Sequence, residues 1–368
     1  MGTDQPSDTN TRHRLHWALV VLAVGAVFAI GLMVAAPATE PGIGADTTPT
    51  VQLVPSLAQA HPVPADSAAP ATVLDPTVSQ PDPAVVWDPA TQRYRMYTTK
   101  QRFGNVPEWE AATPLGPWTF VGDALPKLPV GTQADDFRVW APEVADINGI
   151  WTMWGSAAVT GHPAMCLYRA TARTAAGPFV VDPRPVFPCA VNSYGNIDPQ
   201  MVESGGDWWL IYKPDANEIG LPTELDALQL GADGLPTGSV HVLLTSSLPW
   251  ERGLVEAPGM VLDPVTKQWW VTYSGGQAGA DYEIAAAPCA TVAGPCDQRK
   301  LVHLVSTNAQ GSGPGEQKVF VDIEGGVWMA YSATGASGGP GVLRPAALVR
   351  LGFTAAGTPY VAKANQPG

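Results

Sequence analysis

Charged residues are scarce in this sequence, and most of them are acidic. They make up 14% of the 368 residues, and 33 acidic residues against 20 basic ones give a formal net charge of −13. Such a chain has no basic stripe to neutralise phosphates, which argues against nucleic acid or an anionic membrane surface as a partner. No Gly-rich phosphate loop stands in a βαβ context, so we expect no nucleotide or redox cofactor.

Cysteine is rarer still. The four cysteines form no CxxC pair, which argues against a zinc site. They allow three pairings, and in an oxidising compartment the most economical one closes the two local loops, Cys166–Cys189 and Cys289–Cys296. Three histidines likewise show no ligand spacing: His162, His241 and His303.

Glycine, proline and tryptophan, in contrast, are abundant. The chain has 38 Gly, 37 Pro and 13 Trp. This mixture favours a protein rich in β-strands and turns, with an aromatic concave surface, and argues against a helical bundle.

The N-terminal region contains a long apolar run. Residues 17–36 are twenty positions without a charge, which as a helix would span about 30 Å, the thickness of a hydrocarbon core. Arg12 and Arg14 precede the run, so it predicts an anchor with residues 1–16 in the cytoplasm and the rest outside. A cleaved signal peptide ending near Ala38 is the alternative, and both hypotheses export the chain.

A Pro/Ala/Thr-rich stretch separates this run from the folded part. Residues 37–74 have no periodic apolar pattern and no aromatic residue, which predicts a disordered or extended linker. We expect the folded domain over residues 75–362, followed by a tail at 363–368.

The predicted domain contains five similar stretches. Each opens with a carboxylate beside Pro or Gly, continues as an apolar strand, passes a turn and ends in a strand rich in Trp and Tyr: "QPDPAVVWDPATQRYRMYTT", "VWAPEVADINGIWTMWGSA", "NIDPQMVESGGDWWLIYK", "VEAPGMVLDPVTKQWWVTYSG" and "GPGEQKVFVDIEGGVWMAYSA". Their prolines are 59, 57 and 59 residues apart, and a further step of 58 reaches Glu316: Pro83, Pro142, Pro199 and Pro258. This period predicts an all-β, five-bladed propeller with four strands per blade. A β-sandwich, the main alternative, would not predict the spacing.

In a propeller, the innermost strand of each blade lines the central channel. Asp82, Asp198 and Glu256 open three of these strands, so we expect their carboxylates to meet in one pocket. Cleavage of a glycosidic bond needs one protonated and one ionised carboxyl group, and crowding of like charges separates their pKa values. Alone, each residue has an ordinary interpretation: a turn cap for an Asp before Pro, or a surface pair with Arg252 for Glu256.

The motifs "PDPAVVWD", "WAPEV", "NIDPQMV", "VEAP" and "GPGEQKVF" together resemble glycoside hydrolase family 43 across residues 75–362. The resemblance implies an inverting, five-bladed propeller enzyme acting on α-L-arabinofuranosides or β-D-xylosides. It implies Asp82 as general base, Asp198 as the residue that tunes pKa and orientation, and Glu256 as general acid.

Further residues follow from the same motifs. Glu143 in "WAPEV" matches an acidic position without an acid or base role, and we expect it to support the substrate site. Trp140 is a candidate for stacking on the sugar or a buried tryptophan of the blade. Asn196 can bond a sugar hydroxyl or close the turn before Asp198.

Glu316 departs from the family, in which many members have a histidine after "GPG" that coordinates a central cation or water. A glutamate can ligate Ca²⁺ through oxygen or hydrogen-bond as a polar core residue. Calcium at the propeller axis is therefore an open expectation, and no cofactor is required.

The leading functional hypothesis is an extracytoplasmic, inverting hydrolase that cleaves arabinan or arabinofuranosides. A β-xylosidase and a non-catalytic carbohydrate-binding propeller are the alternatives, each with an arabinose- or xylose-containing glycan as partner. The retaining, fructan-cleaving propellers fit less well because their Trp-x-Asn-Asp-Pro-Asn-Gly motif is absent.

Overall fold

The structure, a computed structural model, describes eight segments of the chain: residues 54–61, 71–132, 134–160, 164–183, 194–277, 281–306, 313–334 and 343–361. In these segments 21 strands form five antiparallel sheets, joined by loops and short 3-10 turns. The predicted anchor over 17–36 lies outside the described residues, as do the segments 1–16 and 363–368. No helix within the eight segments has the length and apolar character to cross a membrane.

Each sheet is one blade built from consecutive strands. Blade one contains β2 (Ala84–Asp88), β3 (Arg93–Tyr97), β4 (Pro107–Ala111) and β5 (Thr119–Asp123). Blade two contains β6 (Val139–Ile147), β7 (Ile150–Ala158), β8 (Met165–Ala172) and β9 (Val180–Val181). Blade three contains β10 (Asn196–Ser204), β11 (Asp207–Pro214), β12 (Glu224–Leu230) and β13 (Pro236–Thr245). Blade four contains β14 (Val255–Leu262), β15 (Trp269–Gly275), β16 (Glu283–Cys289) and β17 (Val302–Val305).

Blade five closes the ring with both ends of the folded chain. It contains β18 (Gly315–Val321), β19 (Val327–Ser332) and β20 (Ala346–Phe353), with the short strands β1 (Thr72–Val73) and β21 (Pro359–Val361) both paired to β20. The inner strands β2, β6, β10, β14 and β18 contact one another in that order, and β18 contacts β2 again. The predicted five-bladed propeller is therefore confirmed.

Part of the predicted linker is folded, which corrects its boundary at residue 74. Strand β1 lies within that range, and so does a 3-10 turn over Leu57–Gln59. Ala60 is buried in the core, and the His61 N–H donates to the Gly325 carbonyl at 2.8 Å. A two-residue strand and a single turn are too short to give a periodic sequence signal, so this packing was not predictable from the pattern.

The structure shows how the repeats end, and it confirms one of the two predicted disulfides. The aromatic residues that close the five repeats are all buried: Tyr97, Trp154, Tyr212, Tyr273 and Tyr331. Cys289 and Cys296 form a disulfide with an S–S distance of 1.99 Å. Cys189 lies outside the described residues, so the Cys166–Cys189 bond stays a prediction.

A backbone bulge recurs at the start of the inner strands. Five non-glycine residues there have positive φ, at 54°, 46°, 54°, 49° and 59°: Asp82, Ala141, Asp198, Ala257 and Glu316. In blades two to five the pairing register shifts at this residue. A non-glycine residue in this region is strained by about 1–3 kcal/mol, and a bulge redirects the side chain that it carries. The fivefold repeat therefore presents one side chain per blade in the same way.

Neighbouring blades hold four of these bulges by the same hydrogen bond. The N–H of the bulge residue donates to a hydroxyl from the preceding blade, over 2.7 to 3.2 Å: Ala141 to Thr99, Asp198 to Ser156, Glu316 to Ser274 and Asp82 to Ser332. Each hydroxyl pairs a buried N–H that could not otherwise reach water. The bond thereby couples the strained backbone of one blade to the packing of its neighbour.

Blade three breaks this pattern. Lys213 lies opposite Ile197, the register position that Ser156, Ser274 and Ser332 occupy in their own blades. The bulge N–H of Ala257 donates instead to Asp198 Oδ2 at 3.1 Å. A side chain of the site thus replaces the missing hydroxyl, which leaves Lys213 available for another contact.

Ser156→Ala tests the hydroxyl bond. Because the variant leaves the buried Asp198 N–H without this acceptor, we expect the free energy of unfolding to fall by about 1–3 kcal/mol. Denaturant unfolding of wild type and variant measures the loss. Ser204→Ala, at the hairpin end of β10 in blade three, is the control and should change stability little. Equal losses in both variants would contradict the assigned bond.

Candidate active site

Asp82 is held by an ion pair and a hydroxyl. Arg344 Nη2 lies 2.6 Å from Asp82 Oδ1, and Nη1 lies 3.4 Å from Oδ2, so the guanidinium faces both carboxylate oxygens. Thr99 Oγ1 donates to Oδ2 at 2.5 Å. Asp82 is only 5% exposed. A planar guanidinium in this position fixes the orientation of the carboxylate.

Glu256 is held by a different cation. Lys213 Nζ lies 2.7 Å from Glu256 Oε2 and 2.9 Å from Asp215 Oδ1, and the lysine is fully buried. The Tyr282 hydroxyl lies 2.7 Å from Glu256 Oε1. Burial by itself favours the neutral acid, but attraction to Lys213 and the hydrogen bonds outweigh it and lower the pKa of Glu256.

Asp198 and Glu316 have no such cation within hydrogen-bond distance in the described part of the chain. Asp198 Oδ2 accepts from the Ala257 N–H, and Glu316 Oε1 lies 2.9 Å from the Tyr282 hydroxyl. Burial and repulsion from Glu256 raise the pKa of Asp198 to about 7. Burial and repulsion from Asp198 and Asp82 raise the pKa of Glu316 well above its usual value.

The structure brings two of the three predicted acids, Asp198 and Glu256, together with Glu316. Carboxylate oxygens of Asp198, Glu256 and Glu316 lie within 4.8 Å of one another. Asp82 is close enough for its charge to raise the pKa of both Asp198 and Glu316. The cluster therefore contains two ion-paired carboxylates and two carboxyls that favour the protonated form, the mixture that acid and base chemistry requires.

The comparison with known families agrees with this arrangement. The model of "Glycosyl hydrolases family 43" matches residues 75–359. The chain belongs to family 43. No curated protein matches the sequence significantly.

Solved structures of family 43 enzymes share the fold. A thermostable family-43 glycoside hydrolase is 24% identical with a TM-score of 0.65, over 81% of this chain and 99% of that one. The endo-arabinase from Bacteroides thetaiotaomicron VPI-5482 is 18% identical with a TM-score of 0.61, over 78% and 99%. An α-L-arabinanase from Cellvibrio cellulosa, complexed with arabinohexaose, is 15% identical with a TM-score of 0.63, over 77% and 96%. The resemblance inferred from the motifs is confirmed, and this family 43 member is a glycoside hydrolase.

The donor set of this family 43 chain fits the expected calcium ion poorly. Calcium takes six to eight oxygen ligands, whereas both oxygens of Glu256 already contact Lys213 and Tyr282, and one oxygen of Asp198 accepts a backbone N–H. The Lys213 ammonium would also repel a divalent ion near Glu256. The described residues therefore give Glu316 a hydrogen bond to tyrosine in place of a metal bond.

Glu143 lies on β6, two residues after the bulge at Ala141. Its Oε2 is 4.0 Å from the ammonium of Lys318, which comes from blade five and also donates to the Pro199 carbonyl. Burial raises the pKa of Glu143 to about 7, despite the opposing attraction of Lys318. A direct role in binding sugar stays a prediction for this residue.

The other two predicted binding residues lie close in sequence to the bulges at Ala141 and Asp198. Trp140 is half-buried, and its Nε1 donates to the Phe137 carbonyl at 3.1 Å. Asn196 is buried at the start of β10, two residues before Asp198. Neither contact tests stacking or sugar binding, which stay predictions.

The motifs missed three residues that control the cluster: Lys213, Tyr282 and Arg344. Lys213 could have been found from the sequence. When the second strands of the five repeats are aligned, a lysine stands where the other four have a hydroxyl residue: Thr99, Ser156, Ser274 and Ser332. Tyr282 and Arg344 lie outside the five repeated stretches. Only the folded loops bring them to the carboxylate cluster, so the repeat could not predict them.

Glu143→Gln tests the burial of this acid. Its folded pKa, about 7, exceeds the ordinary 4.5, so the stability it contributes is complete at low pH and is lost as pH rises through 7. Between pH 5 and 8 the free energy of unfolding of wild type should fall by about 2 kcal/mol more than that of the variant. The exposed variant Glu218→Gln should show the same pH dependence of the free energy of unfolding as wild type. If Glu143→Gln shows that same dependence too, the raised pKa of Glu143 is refuted.

Chelation tests the metal assignment. Because Lys213 and Tyr282 already occupy the oxygens of Glu256, glycosidase activity after dialysis against EDTA should equal activity in CaCl₂. Loss of activity on chelation, restored by added calcium, would show that the carboxylates hold an ion after all.

Proposed function

We propose that the protein hydrolyses α-L-arabinofuranosidic linkages of an arabinan-type glycan with inversion at the anomeric carbon. The observation that carries this proposal is the pairing of Asp82 with Arg344 and of Glu256 with Lys213 around Asp198. Two carboxylates with separate cations can take separate roles on opposite faces of a sugar. Arabinan as substrate is supported by similar folds whose names include endo-arabinase and arabinanase with arabinohexaose.

Asp82 acts as the general base in this proposal. Arg344 and Thr99 orient its carboxylate, so that a lone pair can accept a proton from the attacking water. The water oxygen bonds to the anomeric carbon as the bond from that carbon to the leaving oxygen breaks. Asp82 takes one proton of the water and later releases it to solvent.

Glu256 acts as the general acid and protonates the leaving oxygen. The ion pair with Lys213 opposes this role, since it favours the ionised carboxylate. Glu256 must therefore receive a proton before cleavage, and the neighbouring carboxyls with raised pKa can hold one. Asp198 contributes by holding the Ala257 N–H, which fixes the backbone beside Glu256.

A β-xylosidase remains the sibling alternative, while a non-catalytic sugar-binding propeller has less support. A binder gains nothing from burying repelling carboxylates, because neutral hydrogen-bonding groups would bind sugar at a lower desolvation cost. We place the protein outside the cytoplasm, which the apolar run at 17–36 and the disulfide at Cys289–Cys296 support.

Product analysis with arabinan, arabino-oligosaccharides and xylo-oligosaccharides tests the function. We expect arabinose or short arabino-oligosaccharides from the first two substrates. Asp82→Asn and Glu256→Gln should each lower kcat by about 100-fold or more, since each removes an acid–base group. Asp207→Asn, at the exposed first residue of β11, is the control and should match wild type.

Three results would count against the proposal. Release of xylose alone would favour the β-xylosidase. Sugar binding without turnover in wild type would favour the binding module. Full activity of both Asp82→Asn and Glu256→Gln would remove these residues from the mechanism.

A further inference from the structure

The Tyr282 hydroxyl lies between two carboxyl groups. It is 2.7 Å from Glu256 Oε1 and 2.9 Å from Glu316 Oε1. A phenol has one proton to donate, so it can donate to only one of them. The second short O···O contact is a hydrogen bond only if the other carboxyl is protonated and donates to the phenol oxygen.

The surroundings decide the direction of this chain of bonds. Glu256 is in contact with the Lys213 ammonium, which favours its ionised form as the acceptor. Glu316 contacts no cation so closely within the described segments, and its burial beside Asp198 and Asp82 favours its neutral form as the donor. The bonds therefore run from the Glu316 carboxyl to Tyr282 and from Tyr282 to Glu256.

The backbone makes room for the tyrosine ring. A Cβ built on Gly315 would come within 1.9 Å of Tyr282 Cε1, so only glycine allows the ring this position. Tyr282 is itself 1% exposed, and Glu316 follows Gly315 directly at the fifth bulge. The Gly-Glu pair thus supplies both the space for the hydroxyl and its second partner.

We propose that Glu316 supplies, through Tyr282, the proton that Glu256 gives to the leaving oxygen. The inference rests on the proposed glycosidase function. As the proton moves, the Glu316 O–H bond breaks while a bond to the Tyr282 oxygen forms, and the original Tyr282 O–H bond breaks while one to Glu256 forms. Glu256 then passes this proton to the leaving oxygen, and Glu316 regains one from solvent. Glu316 and Tyr282 are positioning residues that act through Glu256.

Leaving-group dependence tests the relay. Two glycosides of the same arabino-oligosaccharide are compared, one with a 4-nitrophenyl leaving group, which departs readily without a proton, and one with methyl, which does not. Tyr282→Phe and Glu316→Gln should lower kcat on the methyl glycoside by about 100-fold, the size of an acid-catalytic contribution. Both variants should leave kcat on the 4-nitrophenyl glycoside close to wild type.

The controls separate a relay from a structural role. Tyr97→Phe removes a buried hydroxyl that bonds the Ala175 carbonyl away from the cluster, and should change neither rate. Glu316→Asp keeps an ionisable carboxyl and should recover part of the loss seen for Glu316→Gln. Thermal unfolding of each variant identifies any variant that does not fold. If Tyr282→Phe does not fold, the comparison of Glu316→Gln with Glu316→Asp decides the test.

The outcomes are distinct. A loss confined to the methyl glycoside supports the relay. Equal losses on both glycosides, or no loss in either variant, overturn it while leaving the hydrolase function intact. If wild type cleaves neither glycoside nor arabinan, the proposed function fails and the relay fails with it.

Discussion

The hydrogen bond between a bulged N–H and the neighbouring blade is the constraint on which the site depends. A non-glycine residue at positive φ is costly, and the acceptor from the preceding blade compensates for part of that cost at Asp82, Asp198 and Glu316. All five blades repeat the bulge. A different side chain at this one register position therefore changes the chemical group presented at the axis and leaves the sheets unchanged. Two of the five bulges carry alanine, and three carry an acid.

Two cations then give these acids different properties. Arg344 faces Asp82, and Lys213 faces Glu256, while Asp198 and Glu316 bond to a backbone N–H and a tyrosine. The placement of Lys213 follows from the break in the hydroxyl series: Asp198 pairs the Ala257 N–H, and the freed position carries an ammonium. Support of the backbone and adjustment of charge are thus carried out by the same few residues, so substitutions in the cluster should change stability and activity together.

The sequence predicted the blades and the three acids because both signals are local and repeated. Period, hairpin turns and aromatic strands depend on neighbours in the chain, and propeller geometry converts equal register into proximity. The closure by β1 was not predictable, since two residues carry no pattern. Arg344 and Tyr282 could not be predicted because loops bring them to the cluster. In blade four the bulge residue is Ala257, and Glu256 lies one residue before it. The position predicted for Glu256 from the repeat was therefore only approximate.

In the proposed mechanism, Asp82 and Glu256 act on opposite faces of the sugar in one displacement by water. The configuration of the first product tests this most directly. Proton NMR during hydrolysis of an α-L-arabinofuranosyl substrate should detect the β-anomer first, with the α-anomer appearing only by mutarotation. If the α-anomer appears first, the reaction proceeds with retention, and the single-displacement roles of these two carboxylates are wrong.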